Sequence, residues 1–249
     1  KTLPLSGRLV REIHEKLMKG VRGEHATPGE FRKTQNWIGP PGCSLQDATF
    51  VPPPVEEMKE SLSDWEKYLN GSPLEPDLIQ CALMHYQFEA IHPFIDGNGR
   101  IGRLLITIFL CNRELLSQPL LYLSAFFERH RDEYYRRLLA VSQKGDWRGW
   151  IDFFLKGVAV QSEEAMENAA AILDLNSELM ENIRSSGRSP RHTQRIVDHL
   201  FKKPVVSISS YAKELDLPYK SVQRCVKFLE QENVLFECTR SEERRVGKE

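Results

Sequence analysis

One short segment of the chain holds a histidine and an acid at a spacing that suits group transfer. His92 lies at the end of a helical pattern, and Asp96 follows four residues later. Histidine is the side chain best able to accept a hydroxyl proton near neutral pH. Mg²⁺ prefers one or two carboxylates together with phosphate oxygens and water. The pair therefore indicates a general base, His92, beside a metal ligand, Asp96.

The residues around Asp96 favour the binding of an anion. Gly97 and Gly99 allow backbone angles denied to other residues, so several N–H groups can converge on one point. The apolar helix that follows adds further donors and a partial positive charge at its N-terminus. Arg100 and Arg103 are one turn apart and place two guanidinium groups on the same side. Phosphoryl or nucleotidyl transfer needs such a set, because positioning and electrostatic stabilisation provide most of its rate.

Taken singly, these residues have simpler explanations. A histidine at a helix end is usually a cap or a packed residue, and an Asp or Arg usually belongs to a solvated surface. Their combination is far more specific. The segment 92–103 has the sequence H-P-F-I-D-G-N-G-R-I-G-R and resembles the signature of the Fic family, H-x-F-x-[D/E]-G-N-G-R-x-x-R. Every constrained position of that signature is filled.

The resemblance is widest between about Leu3 and Ile183, and it implies a protein adenylyltransferase. Such an enzyme moves AMP from ATP onto a Ser, Thr or Tyr hydroxyl of a target protein. By position, His92 would deprotonate the hydroxyl, Asp96 would bind Mg²⁺, and Phe94 would anchor the loop in the core. The implied ATP contacts are Gly97, Asn98, Gly99 and Arg100 at the α- and β-phosphates, Arg103 at the γ-phosphate, and Tyr134, Tyr135 and Ser142 beside the nucleoside.

A segment rich in Gly and Pro, at about 28–54, precedes the helical part of the chain. Thr34–Ile38 and Ala48–Val51 are predicted strands of a hairpin whose tip is Gly-Pro-Pro-Gly. The resemblance implies that this hairpin is a flap, which clamps the backbone of the target by adding it as a strand. Its docking edge would be formed by Thr49, Phe50 and Val51.

Periodicity and the resemblance together predict a mainly α fold. It consists of a Fic-type helical bundle with a β-hairpin flap, followed by a small winged helix-turn-helix domain. The stretch 147–185 is predicted either as two helices, divided after Ile172, or as one long helix. The predicted helices are Leu9–Val21, Val55–Asn70, Pro76–Ile91, Arg100–Glu114, Tyr122–Val141, Trp147–Ser185, Arg191–Phe201, Ser209–Leu215 and Tyr219–Gln231.

Four parts are predicted along the chain. The catalytic core with its long last helix covers 1–184, a linker covers 185–190, the winged helix-turn-helix domain covers 191–240, and 241–249 is expected to be a disordered tail. The apolar segment Val234–Phe236 is the predicted strand of the winged domain.

The last part of the chain is basic although the whole chain is not. Residues 188–249 hold 13 Lys and Arg against 9 Asp and Glu, whereas the formal net charge of the chain is -1. One face of the helix Tyr219–Gln231 suits contact with phosphates and base edges of DNA. A solvated or dimer-forming surface is the alternative, because a fold does not settle function. The candidate DNA contacts are Lys220, Gln223, Arg224 and Lys227.

Composition and cysteine usage favour a cytoplasmic protein without a membrane partner. The five cysteines are scattered and form no C-x-x-C pair, which argues against a disulfide framework and a zinc site. The N-terminus lacks a signal-peptide pattern. The longest apolar run, Leu104–Cys111, is too short to span a bilayer.

Several alternatives stay open at this level. The same site could remove AMP or transfer another phosphate-containing group, and the chain could instead be a DNA-binding regulator with a nucleotide-sensing domain. The protein substrate could be the chain itself, and a homodimer is not excluded. Many Fic proteins carry an inhibitory helix with the pattern [S/T]-x-x-x-E-[G/N]; Ser177–Asn182 fits it, which we interpret as coincidence. Because the chain starts at Lys1, we expect a fragment whose true inhibitor lies upstream.

Overall fold

The computed structural model describes residues 4–20, 27–72, 75–187 and 189–237, and this part of the chain is mainly helical, as predicted. Val21, the predicted end of the first helix, and the tail 241–249 lie outside it. Within these ranges no helix has the length and apolarity needed to cross a membrane. The helices are α1 (Gly7–Met18), α2 (Val55–Asn70), α3 (Asp77–Ile91), α4 (Asn98–Asn112), α5 (Leu123–Arg129), α6 (Arg131–Lys144), α7 (Trp147–Ser185), α8 (Thr193–Leu200), α9 (Ile208–Glu214) and α10 (Tyr219–Gln231), with a short 3₁₀ helix at Leu45–Asp47.

The chain divides into two compact units, Lys1–Ala165 and Met166–Glu249. The division lies inside α7, which is one continuous helix rather than two. Leu179, Met180 and Ile183 near the end of this helix pack on the core of the second unit. The helix before the predicted linker at 185–190 therefore already contributes side chains to the second core, and the domain bounds stay a prediction.

The centre of the first unit is α3, which packs against both α2 and α4. Its buried residues cover most of the helix circumference and include Cys81, Met84, Phe88 and Ile91. A helix that is apolar on all sides is typical of a core position. This packing holds the C-terminal end of α3 next to the N-terminal end of α4, and the chain crosses between them at 92–97.

The predicted helix Tyr122–Val141 is wrong in one respect, because the structure divides it into α5 and α6. His130 lies between them with φ −116° and ψ 38°, outside the helical region. Its Nδ1 and its backbone nitrogen both hydrogen-bond the Phe126 carbonyl oxygen, at 3.0 Å each. The side chain thus competes for the carbonyl group that closes the last turn of α5.

The predicted flap strands, Thr34–Ile38 and Ala48–Val51, are not strands in the described residues. A single antiparallel bridge joins Ile38 to Phe50. Side chains take the backbone groups that a longer ladder would use: Gln35 Nε2 donates to the Pro52 carbonyl oxygen at 2.8 Å, and Arg32 donates to those of Thr34 and Pro53. The prolines at the tip, moreover, have no N–H to offer.

The second unit contains α8, α9 and α10, and α10 packs on the other two. Asp216, with φ +50°, turns the chain between α9 and α10, and Leu217 beyond it is buried. The predicted strand Val234–Phe236 does not form within the described part. The N–H groups of Val234 and Leu235 instead donate to the Leu229 carbonyl oxygen, at 2.8 and 3.2 Å, and so close the end of α10.

Candidate functional site

The loop 92–97 is closed by contacts within the segment itself. His92 ends α3 in the left-handed region with φ 49°, and Gly97 precedes α4 with φ +83°. Phe94 between them is 0% exposed. Asn98 holds this turn through both atoms of its amide: Oδ1 accepts from the Phe94 N–H and Nδ2 donates to the Phe94 carbonyl oxygen, each at 2.8 Å. The Asn98 side chain is therefore committed to the loop.

Helix α1 supports the loop from a second side through His14. The His14 ring stacks on Phe94 with centroids 3.8 Å apart. The Gly29 N–H donates to Nδ1 at 2.9 Å, so Nε2 carries the proton and donates to the Asp96 carbonyl oxygen at 3.0 Å. Burial lowers the pKa of His14, in keeping with a neutral ring. Sequence reasoning missed this residue, although buried Val10, His14 and Met18 recur every four residues.

Two polar side chains tie the loop to the segment that precedes α2. Arg32, only 2% exposed, donates from Nε to the His92 carbonyl oxygen at 3.1 Å. Asn36 Nδ2 donates to the Phe94 carbonyl oxygen at 2.9 Å. Neither residue follows a periodic pattern, so the sequence offered no signal for this role.

The His92 side chain is arranged as a base. Its Nδ1 lies 3.2 Å from the Glu89 carbonyl oxygen. A carbonyl oxygen can only accept, so Nδ1 carries the proton and Nε2 keeps its lone pair. Burial lowers the pKa of His92 to about 4, and the nearby Arg32 charge acts in the same direction. At neutral pH the ring is uncharged and able to accept a proton.

The Asp96 carboxylate lies beside donors rather than other acids. Its side chain is 49% exposed; Oδ1 accepts from the Gly97 N–H at 2.6 Å, and Oδ2 lies 3.4 Å from Arg100 Nη2. No group of three or more His, Cys, Asp or Glu residues suited to a metal occurs in the described ranges. Asp96 could thus supply one ligand to Mg²⁺, and a phosphate-bearing molecule and water would have to supply the others. This single carboxylate ligand fits a Mg²⁺ ion that binds together with a nucleotide.

A cavity of about 700 Å³ opens beside His92. Its volume lies within the range usual for small-molecule sites. Tyr134 is not part of its lining: this side chain is 3% exposed, and its hydroxyl lies 2.9 Å from His85 Nε2 on α3. The cavity is lined by these predicted site residues: His92, Gly99, Tyr135, Ser142, Thr49 and Phe50.

The two arginines of the segment lie on a different opening. Arg100 and Arg103 line a second cavity of about 740 Å³, whose walls include Leu104 and Leu121. Arg103 nevertheless reaches back to the first turn of α4, since a Cβ atom placed on Gly99 would be 3.1 Å from its Nη1. The start of α4 is thus shared by both openings.

The predicted docking and DNA residues lie at the surface. Thr49 and Val51 are exposed, but the N–H groups of Thr49 and Phe50 already donate to the Ile38 carbonyl oxygen, at 2.8 and 3.0 Å. The candidate DNA contacts on α10, namely Lys220, Gln223, Arg224 and Lys227, are all exposed.

Comparison with known proteins gives three consistent findings. Residues 4–110 match the Fic/DOC family. The protein adenylyltransferase Fic of Culex quinquefasciatus is 32% identical over 144 residues, and that of Drosophila erecta is 31% identical over 147; these matches cover 57% and 58% of this chain and 25% and 26% of those proteins. The crystal structure of a Fic family protein from Desulfovibrio desulfuricans G20 has a TM-score of 0.57 at 27% identity, covering 66% of this chain and 47% of that one. The chain therefore spans about a quarter of the length of the curated relatives it matches.

Proposed function

Since residues 4–110 contain a Fic/DOC family domain, we propose that the first unit is a protein adenylyltransferase, which transfers AMP from ATP to a hydroxyl of a protein. The observation that carries this proposal is the state of His92: a neutral imidazole with an unprotonated Nε2, beside a cavity and next to a loop suited to phosphate. The similarity to proteins named protein adenylyltransferase, at about 30% identity, supports it.

In the proposed reaction His92 Nε2 takes the proton of the target hydroxyl. The hydroxyl oxygen forms a bond to the α-phosphorus of ATP while the bond from that phosphorus to the bridging oxygen breaks, and pyrophosphate leaves. The N–H groups of Asn98, Gly99 and Arg100 would face the α- and β-phosphates and Arg103 the γ-phosphate, whereas the Gly97 N–H is already bonded to Asp96 Oδ1. Mg²⁺ held by Asp96 would neutralise charge on the phosphates.

The cavity beside His92 would receive the remaining parts of both substrates, namely the nucleoside of ATP and the backbone of the target protein. Tyr135 and Ser142 would contact the nucleoside, and the Ser142 hydroxyl is already oriented by Tyr86 at 2.9 Å. Thr49, Phe50 and Val51 would meet the backbone of the target, which is another protein or a second copy of this chain. Because Thr49 and Phe50 use their N–H groups on Ile38, we propose that the target pairs with other backbone groups of this segment.

The test follows transfer of label from α-labelled ATP to protein in the presence of Mg²⁺. Wild-type chain should label itself or added proteins, and His92→Ala should reduce the rate by about 10²–10⁴-fold, as expected for loss of a general base. His192→Ala is a matched histidine control in the second unit. Measurable ATP binding without any label would contradict adenylyl transfer; release of label from a previously modified protein would instead favour the reverse reaction.

A second candidate function belongs to α10, and we propose that this helix binds duplex DNA. Its buried side is formed by Val222, Cys225 and Leu229. The polar side presents Lys220, Gln223, Arg224 and Lys227 to solvent, after a tight turn from α9. An exposed helix with clustered cationic groups is suited to the major groove.

Fluorescence anisotropy with a labelled duplex of mixed sequence tests this candidate. Replacement of Lys220, Arg224 and Lys227 by alanine should abolish binding at low salt, whereas replacement of exposed Lys59 and Lys67 on α2 should not. Equal loss in both variants would indicate unspecific charge attraction and would contradict a role for α10.

A further inference from the structure

A buried carboxylate that the proposed reaction does not use lies next to the site. Glu89, on α3, lines the cavity beside His92, and its Oε1 is buried without a hydrogen-bond partner. Burial raises the pKa of Glu89 to about 7, and the positive charge of Arg103 opposes this shift. An unsatisfied buried carboxylate is costly. The free-energy cost of burying this carboxylate indicates that Glu89 has a role in the site.

The Glu89 carboxylate and the Arg103 guanidinium both lie beside the first turn of α4. A Cβ atom placed on Gly99 would be 3.1 Å from Arg103 Nη1 and 3.9 Å from Glu89 Oε1. A Cβ atom on Gly102 would collide with the same Glu89 oxygen. Glycine at both positions therefore leaves room for the two charged groups to approach each other over the helix.

A hydrogen-bonded pair, His85 and Tyr134, lies near Arg103. His85 is fully buried, with Nδ1 3.1 Å from the Gly102 carbonyl oxygen and Nε2 2.9 Å from the Tyr134 hydroxyl. Burial lowers the pKa of His85 to about 3, so the ring is neutral. The carbonyl oxygen only accepts, so Nδ1 carries the proton and Nε2 accepts from Tyr134. The Tyr134 oxygen then keeps an acceptor site, and the Arg103 guanidinium lies close enough for its charge to act on this hydroxyl.

Glu89 on one helix and Tyr134 on another thus lie close to the long Arg103 side chain. A free arginine loses rotamer entropy when it binds a ligand. Glu89 on α3 supplies a buried carboxyl group and Tyr134 on α6 supplies a neutral hydroxyl oxygen. Arginine has five N–H donors in a fixed plane, so most remain for phosphate oxygens.

We propose that Glu89 and Tyr134 are positioning residues for Arg103, which hold its guanidinium at the first turn of α4 so that it selects nucleotides with a γ-phosphate over diphosphates. This inference rests on the proposed function, in which Arg103 meets the γ-phosphate. It gives Tyr134 a role different from the nucleoside contact predicted from the sequence, in agreement with its burial.

The first test measures the dissociation constants of ATP and ADP for the full chain. Tyr134→Phe and Glu89→Gln should each weaken ATP binding about 3–10-fold, the size of one lost hydrogen bond or charge contact, and change ADP binding less than about twofold. Tyr219→Phe and Glu60→Gln, at exposed positions that line neither cavity, are matched controls and should change neither constant. Unchanged preference for ATP in both site variants would overturn the proposal, because a merely structural role does not distinguish the two nucleotides.

The second test needs no nucleotide and so separates this inference from the proposed function. Urea unfolding of Tyr134→Phe, Arg103→Met and the double variant forms a double-mutant cycle. The two substitutions should be coupled by at least about threefold in the unfolding equilibrium constant. Strict additivity would overturn the proposed contact. If the wild-type chain binds no nucleotide but the cycle shows coupling, the proposed function fails while the hold on Arg103 stands.

Discussion

The loop 92–97 and the helix α10 carry polar residues of similar kinds, but the structure holds them in opposite ways. In the loop, backbone and side chains are tied by Asn98 within the segment, by His14 on α1 and by Arg32 before α2. On α10 the polar side chains project into solvent from a helix whose other face forms the core. Substitutions in the loop should therefore affect both stability and activity, whereas substitutions on the polar side of α10 should affect DNA binding alone.

The largest contrast is expected for two aromatic residues. Phe94→Ala should lower the free energy of unfolding by about 3–5 kcal/mol, since it removes a fully buried ring that stacks on His14. Tyr219→Ala, at the start of α10 and 52% exposed, should change it by about 0.5 kcal/mol or less. Urea denaturation measures both. Similar losses would show that α10 is not the independent surface described above.

A smaller contrast is expected for two amide side chains. Asn98→Ala leaves the buried Phe94 N–H without its partner and should cost about 1–3 kcal/mol in the free energy of unfolding. Asn98→Asp retains the acceptor oxygen and should recover part of this loss. Gln223→Ala on the exposed side of α10 is the matched control and should have no measurable effect in the same denaturation experiment.

Acidification should act on the loop through His92. Its folded pKa of about 4 lies below the value of about 6.5 in an unfolded chain, so the unfolded state binds more protons between these values. Stability contributed by neutral His92 is present above pH 6.5 and is lost as the pH falls toward 4. Between pH 7 and pH 5, the free energy of unfolding measured with urea should fall by about 1–2 kcal/mol more for the wild-type chain than for His92→Ala. Equal losses would show that His92 is not buried as a neutral base.

The smallest effect on stability is expected for Arg224→Gln. It should leave the free energy of unfolding unchanged and reduce the slope of the logarithm of DNA affinity against the logarithm of salt concentration by about 1, because one phosphate contact is lost. Anisotropy titrations at several salt concentrations measure this slope. A slope identical to that of wild type would remove Arg224 from the proposed DNA contacts.

How much of this molecule could be predicted depends on the separation of the contacts along the chain. The helices α2, α3, α4 and α10 agree with their predicted spans within two residues, because periodicity of apolar residues is a local property. The His92–Arg103 segment likewise brings base, acid and glycines together at short range. Tyr134 shows the opposite case: its helix was predicted, but its burial against His85 depends on how α6 meets α3.

What the sequence by itself determined is the mainly helical fold, the segment that carries the chemistry and the exposed basic face of α10. Only the tertiary structure decided that the segment before α2 makes a single bridge, that His130 ends α5, and that His14, Arg32 and Glu89 surround the site. The physical reason is that each of these features depends on which backbone or charged group a side chain contacts. Periodicity can mark a residue such as His14 as buried, but it does not show the atoms that the side chain contacts.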